Sequence, residues 1–484
     1  MKLFRAFVPI ALLALATLGG AQTWTPLTHQ PTFGASTALL LTDGTVMVQD
    51  SASGSPNHWW RLKPDLSGSY INGTWTQIAS LPSGYDPLYY ASAVLPDGRV
   101  VIVGGEFNPP GNPQQVQTNM AAIYDPQSNA WTSFFGPWSQ VGDAQSAVLP
   151  NGTFMLGNCC NSQQALLNAS NLTWTITGAG KADRNSEEGW TALPNNTSNP
   201  HNGGLLTIDV TSAGNAEIYD FNTGAWTSIG GPPVSLVGCS EIGPAVLRPD
   251  GSVFATGATS NTAIYNSSTN SWRVGPTFPS GLGVVDGPAA LLPNGKVLVD
   301  AAPIGPCGTF PAGSKFFEFD GTNLTAVANP PRASVDPSFV GRMLVLPTGQ
   351  VLFTDGSNDV EVYTPTGTFN FVWQPTINSA PSNITVGASW YQILGTQLNG
   401  LSQGGMYGDD AQSATNYPLV RITNNATHHV FYALTHDHSS MGVATGGVQV
   451  STLFDPPLNL ERGLSTLVVV ANGIPSAPVT VNVF

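Results

Sequence analysis

The chain has 484 residues, with 15 Lys or Arg against 29 Asp or Glu, so its formal net charge at pH 7 is -14. Such an acidic surface repels polyanions, which excludes nucleic acid and anionic membrane surfaces as favoured partners. Apolar residues make up 41% of the chain and recur in short strand-like runs, so we expect a folded protein rather than a disordered one.

The N-terminal segment is typical of an export signal. Lys2 and Arg5 precede an apolar stretch over residues 6–18, and the small residues at 19–21 stand before Gln22. This order predicts a signal peptide over residues 1–21. The apolar stretch is too short to span a bilayer, and no later stretch reaches about 18 uninterrupted apolar residues. We therefore expect a secreted protein, extracellular or periplasmic, with no membrane span.

The chain contains four cysteines, Cys159, Cys160, Cys239 and Cys307. An exported protein can form disulfides, and four cysteines allow three pairings, between which the sequence does not choose. A bridge between the adjacent Cys159 and Cys160, two bridges between separated residues, and buried thiols are all alternatives. No spacing typical of a structural zinc site occurs.

A hairpin phrase recurs along the chain from residue 36 onward. It consists of a small and apolar strand, a turn of the Pro-Asp-Gly kind and a second apolar strand, as in ASAVLPDGRVVIVGG at 91–105. Asp-Gly and Asn-Gly between apolar runs favour tight hairpins, because these residues tolerate a positive φ. The seven turn glycines are Gly44, Gly98, Gly152, Gly203, Gly251, Gly295 and Gly349.

A second phrase follows each hairpin. It is an alternating strand that ends in an aromatic residue, then a turn, then a strand led by Trp, as in AAIYDPQSNAWTSF at 121–134 and AEIYDFNTGAWTSIG at 216–230. Each unit therefore supplies four strands, which is one blade of a β-propeller. The phrases resemble kelch repeats, in which the Trp series packs between neighbouring blades rather than forming a binding site.

The ends of the repeat region complete the architecture. The segment TWTPLTHQP at 23–31 is a lone Trp-led outer strand, and we expect it to complete blade seven, so that the ring closes without an exposed edge. The repeat stops near residue 376, and short alternating strands follow to the C-terminus. The sequence thus predicts an all-β fold: a seven-bladed kelch-type propeller over residues 22–375 and a C-terminal Ig-like β-sandwich over residues 376–484.

This combination resembles the galactose oxidase family in architecture. The resemblance implies a mononuclear copper on the propeller axis, held by a tyrosine cross-linked to a cysteine, by a Tyr-His pair and by a histidine of the C-terminal domain. Alignment of the blades on their turns matches the cross-linked tyrosine to Tyr89, but places Ala35 at the cysteine and Phe339-Val340 at the Tyr-His pair. Because a redox copper site needs a fitted set of ligands, the sequence does not favour radical copper.

The same alignment places acidic residues where the inner strands begin. Besides Tyr89 these positions hold Asp143, Glu187 or Glu188, Glu241 and Asp286. Like charges gathered in a narrow channel raise one another's pKa unless a cation binds. We therefore predict that Glu187, Glu241 and Asp286 hold one divalent metal ion, either calcium or a transition metal. The alternative is a hydrogen-bonded polar network without a metal.

The run His436-Asp437-His438 is a further candidate for this metal. If the C-terminal domain docks as the family resemblance implies, one of its loops enters the propeller axis, and His436 and His438 would favour a transition metal over calcium. The pair His428-His429 is a weaker candidate, because neighbours on a strand face opposite ways and only one could reach the site. The alternative is that the histidines lie on an exposed loop.

Three functions fit these features. The first is an extracellular binding module for a glycan or an extracellular protein, which rests partly on analogy of fold. The second is a metal-dependent enzyme like galactose oxidase, an oxidoreductase or a sugar-active enzyme, with Tyr89 as acid or orienting donor and Glu188 as catalytic carboxylate. The third is a structural component of a cell surface or matrix. The sequence does not determine the ligand or the oligomeric state.

Overall fold

The computed structural model describes residues 22–51, 57–108, 117–407 and 413–484. The predicted signal peptide, residues 1–21, lies outside the described residues. Within the described ranges the chain forms 39 β-strands and three short 3₁₀ turns, at Pro331–Ser334, Ser338–Val340 and Phe371–Trp373. None of these elements is a helix long and apolar enough to cross a membrane.

Seven antiparallel sheets form the blades of a propeller, six with four strands and one, blade six, extended to six strands, and each innermost strand lines a central channel. The first strand of the chain, β1 (Thr23–Pro26), belongs to the last blade. Blades one to three contain β2 (Ala35–Leu40), β3 (Val46–Asp50), β4 (Trp59–Lys63), β5 (Thr74–Ile78), β6 (Ala91–Val94), β7 (Val100–Val103), β8 (Met120–Asp125), β9 (Ala130–Phe135), β10 (Ser146–Val148), β11 (Phe154–Gly157), β12 (Gln164–Asn168) and β13 (Thr173–Thr177).

The remaining blades repeat this order, and a short strand, β22, adds to blade six by pairing with β24. Their strands are β14 (Thr191–Ala192), β15 (Leu205–Ile208), β16 (Ala216–Asp220), β17 (Ala225–Ser228), β18 (Ala245–Leu247), β19 (Ser252–Thr256), β20 (Thr262–Asn266), β21 (Ser271–Val274), β22 (Leu282–Gly283), β23 (Ala289–Leu291), β24 (Val297–Pro303), β25 (Lys315–Phe319), β26 (Leu324–Ala326), β27 (Arg342–Val345), β28 (Val351–Thr354) and β29 (Glu361–Thr364).

The ring closes through the two ends of the repeat region. Strand β1 pairs antiparallel with β29, so that Trp24 lies opposite Tyr363 and Thr23 opposite Thr364. This pairing supplies the outer strand of blade seven and confirms the prediction for residues 23–31. Closure covers the edge that an open sheet would expose.

The predicted turn glycines all have a positive φ, as the hairpin phrase requires. The seven φ values lie between +76° and +84°. At Gly44 two features disfavour any other residue. The φ is positive, and a Cβ would collide with the ring of Tyr432 in the C-terminal domain. These turns lie at one face of the propeller, which we call the turn face. The opposite face, where the chain enters each inner strand, is the loop face.

The Trp series packs between blades, as the sequence indicated. The rings of Tyr124 and Trp131 lie 5.0 Å apart, and the same spacing separates Tyr265 and Trp272. The indole N–H of Trp131 donates to the carbonyl of Ala79 in the preceding blade, 2.8 Å away. Each such Trp therefore fills the space between two sheets and also joins them by a hydrogen bond.

A single curled sheet forms most of the C-terminal domain. Its strands follow the order β30-β32-β36-β35-β34-β37-β39-β31, with β38 paired to β37. The strands of this part of the chain are β30 (Thr376–Ser379), β31 (Asn383–Ile384), β32 (Tyr391–Thr396), β33 (Gly405–Met406), β34 (Leu419–Asn424), β35 (Val430–His436), β36 (Gln449–Asp455), β37 (Gly463–Ala471), β38 (Ile474–Pro475) and β39 (Val479–Val483).

The curled sheet encloses a core of its own, in which Ile393, Val420, Phe454 and Val469 are fully buried. The predicted fold class, an all-β propeller followed by a β-domain, is confirmed. The structure adds that this domain, expected to be an Ig-like sandwich, is one continuous curled sheet that forms a half-barrel.

The C-terminal domain docks on the turn face. The backbone N–H of Thr435 donates to Thr42 of blade one (3.1 Å), and that of Met441 donates to Pro150 of blade three (3.0 Å). Strand β33 leaves the curled sheet and pairs instead with β23, the innermost strand of blade six. The segment around β33 therefore lies inside the channel.

Candidate functional site

Three carboxylates meet at the loop face of the channel. Glu187, Glu241 and Asp286 lie before the inner strands of blades four, five and six. One carboxylate oxygen of each lies within 4.8 Å of the other two, and all three residues are half-buried. The structure thus brings together the three carboxylates that the sequence suggested as metal ligands.

The backbone at the strand entrances explains this convergence. Tyr89, Glu187 and Asp286 each stand seven residues before the proline of their hairpin turn, and their φ values are +52°, +57° and +48°. A left-handed conformation costs a non-glycine residue about 1–3 kcal/mol and tends to occur at functional sites. The repeat therefore places equivalent side chains of blades two, four and six at the same mouth, while Glu241 stands eight residues before Pro249 and follows Ser240, whose φ is +69°.

The three carboxyl groups strongly influence one another. Burial raises the pKa of Glu241, while its hydrogen bonds with Asp286 and Glu187 act in the opposite direction. Carboxyl groups this close form such bonds by sharing protons, because three full negative charges would repel at this distance. A divalent cation could replace those protons, and oxygen ligands suit calcium, magnesium or manganese.

Two disulfides support the loops of this face. Cys239 is bonded to Cys307, which ties the segment just before Glu241 to the loop between β24 and β25. Cys159 and Cys160 form the vicinal bridge and are joined by a cis peptide bond. The pairing that the sequence left open is thus one local and one long-range bridge, and both indicate an oxidising compartment.

Asn161, which directly follows the vicinal bridge, is hydrogen-bonded to the loop that carries Glu187. The backbone carbonyl of Asn161 accepts hydrogen bonds from the backbone N–H of Asn185 (2.8 Å) and from its side-chain amide (2.7 Å). These bonds hold Asn185, two residues before Glu187, in the loop that connects blade three to blade four.

The structure does not bring His436 and His438 to the three carboxylates. The backbone N–H of His438 donates to Pro96 of a hairpin turn, 3.2 Å away, so this loop lies at the turn face. His438 Nδ1 lies 2.9 Å from the hydroxyl of Thr452, and burial lowers the pKa of the His438 ring to about 3. The ring is therefore neutral at physiological pH. The sequence placed this loop on the propeller axis, but a different segment of the C-terminal domain enters the channel there.

That segment is residues 403–407. Met406 lies opposite Ala289 of β23, and the side-chain oxygen of Gln403 accepts a hydrogen bond from the backbone of Ala192 in blade four (2.8 Å). The hydroxyl of Tyr407 donates to the carbonyl of Phe339, just before blade seven (2.7 Å). Tyr407 thus brings a phenol from the C-terminal domain to the loop-face mouth.

Sequence reasoning missed this insertion. One signal was present, since a Gly-Gly pair at 404–405 marks a close approach of backbones. A Cβ at Gly405 would lie 2.9 Å from the Cβ of Ser413 and 3.1 Å from the carbonyl of Met343 in blade seven. The pair is therefore needed for the segment to fit beside the inner strands.

A cavity of about 180 Å³ opens on the other side of the mouth, between blades one, two and seven. Tyr89, Gln49 and Arg342 line it. The guanidinium of Arg342 lies 3.8 Å from the centre of the Tyr407 ring, which is a cation–π contact. The predicted Tyr89 therefore lines a cavity that also contains polar side chains of blades one and seven.

The residues at the copper positions of the galactose oxidase family do not fit that cofactor. Ala35 opens β2 and has no thiol, while Phe339 and Val340 stand immediately before Gly341 and β27. None of these three side chains offers a nitrogen, oxygen or sulfur ligand, whereas a redox copper site needs such a set.

Glu188 lies in a different environment from its neighbour Glu187. Its side chain is fully buried, and its Oε1 atom lies 3.1 Å from Nζ of Lys181. Asp209 and Glu217 complete this buried cluster, at 3.7 Å and 2.8 Å from the same nitrogen. The cluster supports blade four from within.

The catalytic roles suggested for Glu188 and Tyr89 stay predictions. Asp143 is half-buried and is not part of either group of carboxylates among the described residues.

Comparison with known proteins supports the propeller fold. No protein-family model and no curated protein sequence matches the chain. The chain is a seven-bladed propeller protein that matches a copper alcohol oxidase of the galactose oxidase family in structure. That protein is a fungal alcohol oxidase of the AA5 family in complex with copper, with a TM-score of 0.54, 14% identity, and coverage of 96% of this chain and 100% of that one.

Two lyases share the propeller. A streptogramin B lyase gives a TM-score of 0.50 at 10% identity, covering 71% of this chain and 97% of the lyase. A catalytically inactive virginiamycin B lyase from Staphylococcus aureus with quinupristin gives 0.50 at 9% identity, covering 71% and 99%. At these identities the similarity shows the fold alone, and proteins with this fold perform different functions.

Proposed function

We propose that the protein is an extracellular ligand-binding propeller whose loop face holds a divalent cation on Glu187, Glu241 and Asp286. The observation that carries this proposal is the approach of the three carboxylate oxygens to within 4.8 Å of one another. In the galactose oxidase family, which the chain resembles, the metal also lies on the propeller axis. The similar alcohol oxidase is in complex with copper, which supports a metal here at the level of fold.

The donor set favours calcium. The three ligands are carboxylates, and His436 and His438 belong to the opposite face, so the nitrogen donors that copper or zinc prefer do not come from them. Calcium takes six to eight oxygen ligands. Three carboxylates therefore leave positions for water and for the hydroxyl or carboxylate oxygens of a ligand.

The neighbouring cavity supports a glycan as the ligand. Ser36, Thr37 and Gln49 line it together with Tyr89, and hydroxyl and amide groups both donate to and accept from sugar hydroxyls. A glycan bound across the mouth would contact the cation on one side and this cavity on the other. An extracellular protein that presents an acidic or hydroxyl side chain is the alternative ligand.

The compartment is part of the same proposal. The signal-like residues 1–21 and the two disulfides support export. Modules that work in calcium-rich extracellular fluid bind calcium with dissociation constants of about 0.1–1 mM. We propose that the loop-face site binds calcium in this affinity range. We also propose that residues 22–375 form the propeller and residues 376–484 the C-terminal domain.

Isothermal titration calorimetry of the mature protein with calcium chloride and manganese chloride tests the proposal. We expect one equivalent of cation, and a loss of affinity of at least about tenfold in Glu241→Gln and Asp286→Asn. Asp250→Asn is the control, because Asp250 is an exposed carboxylate on the turn face. Absence of cation binding, or equal binding by all variants, would refute the cation site.

The cavity beside Tyr89 favours an enzyme as the second candidate. A phenol at its edge could orient a substrate or donate a proton. A screen for oxidase, lyase and hydrolase activity on sugars tests this, with Tyr89→Phe as the variant. Turnover that the variant loses while it still binds the cation would support the enzyme over the binding module.

A further inference from the structure

A second cavity lies at the other end of the propeller, at the seam between the two domains. It measures about 310 Å³ and is lined by hairpin and strand residues of blades one and two together with residues of strand β35 and with Asp455, Pro457 and Asn459 of the C-terminal domain. We call it the seam cleft. Its volume suits a small ligand or one or two sugar units. None of its lining residues belongs to the loop-face site.

We propose that the seam cleft binds a neutral oligosaccharide, with Trp390 as the aromatic platform at its rim. This site does not depend on the cation or on the function proposed above. Its chemistry is that of a flat apolar ring beside several hydrogen-bonding side chains. A sugar ring offers the complementary surface, since it has an apolar face and a rim of hydroxyls.

Trp390 is exposed and held in place. Its side chain is 68% exposed, and its φ is +69°, which is an outlier for a bulky residue. The backbone N–H of Trp390 donates to Oδ1 of Asp455, 2.7 Å away, and Asp455 lines the seam cleft. The strained backbone therefore keeps a largely exposed aromatic ring on a residue that is hydrogen-bonded to the lining of the cleft.

His436 and its two carboxylates fix this ring from one side. The rings of Trp390 and His436 meet edge to face, with centroids 5.3 Å apart. His436 lies between Asp437, at 2.8 Å from Nδ1, and Asp455, at 3.4 Å from Nε2. Asp437 also has a positive φ, of +49°. The candidate motif that the sequence placed on the axis thus supports the rim of the seam cleft.

The charges of the cleft favour a neutral ligand. The lining contains two basic residues, Arg61 and Lys63, and three carboxylates, Asp43, Asp65 and Asp455. The Arg61 guanidinium lies 4.0 Å from the carboxylate of Asp43. The basic side chains donate hydrogen bonds and the carboxylates accept them, so together they match hydroxyl groups that do both. An anionic polymer would be repelled by the chain's net charge of -14.

The apolar rim extends beyond Trp390. Leu458 follows the lining residue Pro457 and is 86% exposed. It lies on the segment that also carries Asp455, so Trp390 and Leu458 flank the same stretch of chain. An extended ligand that leaves the cleft would cover both side chains.

The test is calorimetry of the intact mature protein, with EDTA present, against short oligosaccharides of glucose, xylose, mannose and galactose. EDTA removes the cation and so silences the loop-face site. We expect at least one of the four series to bind, and Trp390→Ala to lower its affinity at least about tenfold. Trp390→Phe should keep binding, because it retains an aromatic face. Phe371→Ala, at another exposed aromatic residue (77%), should not change it.

Hydroxyl-radical footprinting supplies a readout that does not depend on the fold of the variants. In the wild-type protein a saturating oligosaccharide should protect Trp390 from oxidation and leave Phe371 unprotected. The proposal is overturned if none of the four series binds in EDTA, or if Trp390→Ala binds as well as the wild type. Binding that EDTA or Glu241→Gln abolishes while Trp390→Ala keeps it would assign the sugar to the loop face instead.

Discussion

Lys181 is the single described cation among buried carboxylates in blade four, and its removal gives a sharp prediction. Its Nζ atom lies 2.8 Å from Glu217, 3.1 Å from Glu188 and 3.7 Å from Asp209, and the side chains are 0–1% exposed. Breaking a buried ion pair by removing one partner costs about 3–5 kcal/mol. We expect Lys181→Met to lose this much unfolding free energy near neutral pH.

The loss should depend on pH. Burial raises the pKa of Glu188 to about 8, from a usual 4.5, and that of Asp209 to about 6, from 3.8, while Lys181 opposes both shifts. The folded protein thus binds more protons than the unfolded chain between these values, so these two groups make stability fall as pH rises from about 4 to 8. Without Lys181 both pKa values rise further. The deficit of the variant should therefore be small near pH 5 and large near pH 8.

Urea unfolding followed by Trp fluorescence at both pH values measures this difference. Lys315→Met is the control, because Lys315 is exposed on β25 and should change stability by less than about 0.5 kcal/mol. An equal deficit for Lys181→Met at both pH values, or none at pH 8, would refute the assignment of these carboxylates as partners of Lys181.

Two further predictions concern ring closure and the long-range disulfide. Trp24 is half-buried, 5.0 Å from Phe316 between ring centres, so Trp24→Ala should cost about 2 kcal/mol in urea unfolding, and an unchanged midpoint would contradict its role in closure. Replacing Cys239 and Cys307 together by Ser should cost about 4 kcal/mol, because the bridge closes a loop over a sequence separation of 68. The same double variant should bind calcium more weakly because the segment before Glu241 is released, and calorimetry that shows wild-type affinity would argue against this support.

Features that repeat with the blades could be predicted from the sequence. The turn glycines and the Tyr-Trp phrase act within one hairpin or between adjacent blades, so local pattern and physical cause coincide. Glu187 and Asp286 were found for the same reason, since each occupies one fixed position before its turn proline. The resemblance in architecture to the galactose oxidase family followed from the same repeats.

The rest depends on contacts that occur once. The segment carrying Tyr407 enters the channel because Gly405 fits beside Met343, and a single glycine pair carries no periodic signal. The histidines were therefore assigned to the axis, although the domain docks them on the turn face. Lys181 lies in a connection outside the strands, and adjacent cysteines do not reveal their pairing, so neither the buried cluster nor the disulfides could be derived from spacing.

The pairing of β1 with β29 also has a consequence for the order of folding. Thr23 pairs with Thr364, so the earliest described strand has no partner until blade seven has been synthesised. Contacts this distant in sequence slow folding and leave unpaired strand edges exposed in the meantime. The blades can form one after another as the chain is synthesised, but the ring closes only in a late step, when β1 pairs with β29. Retention of an extra segment before β1, or loss of β1, would act at that step.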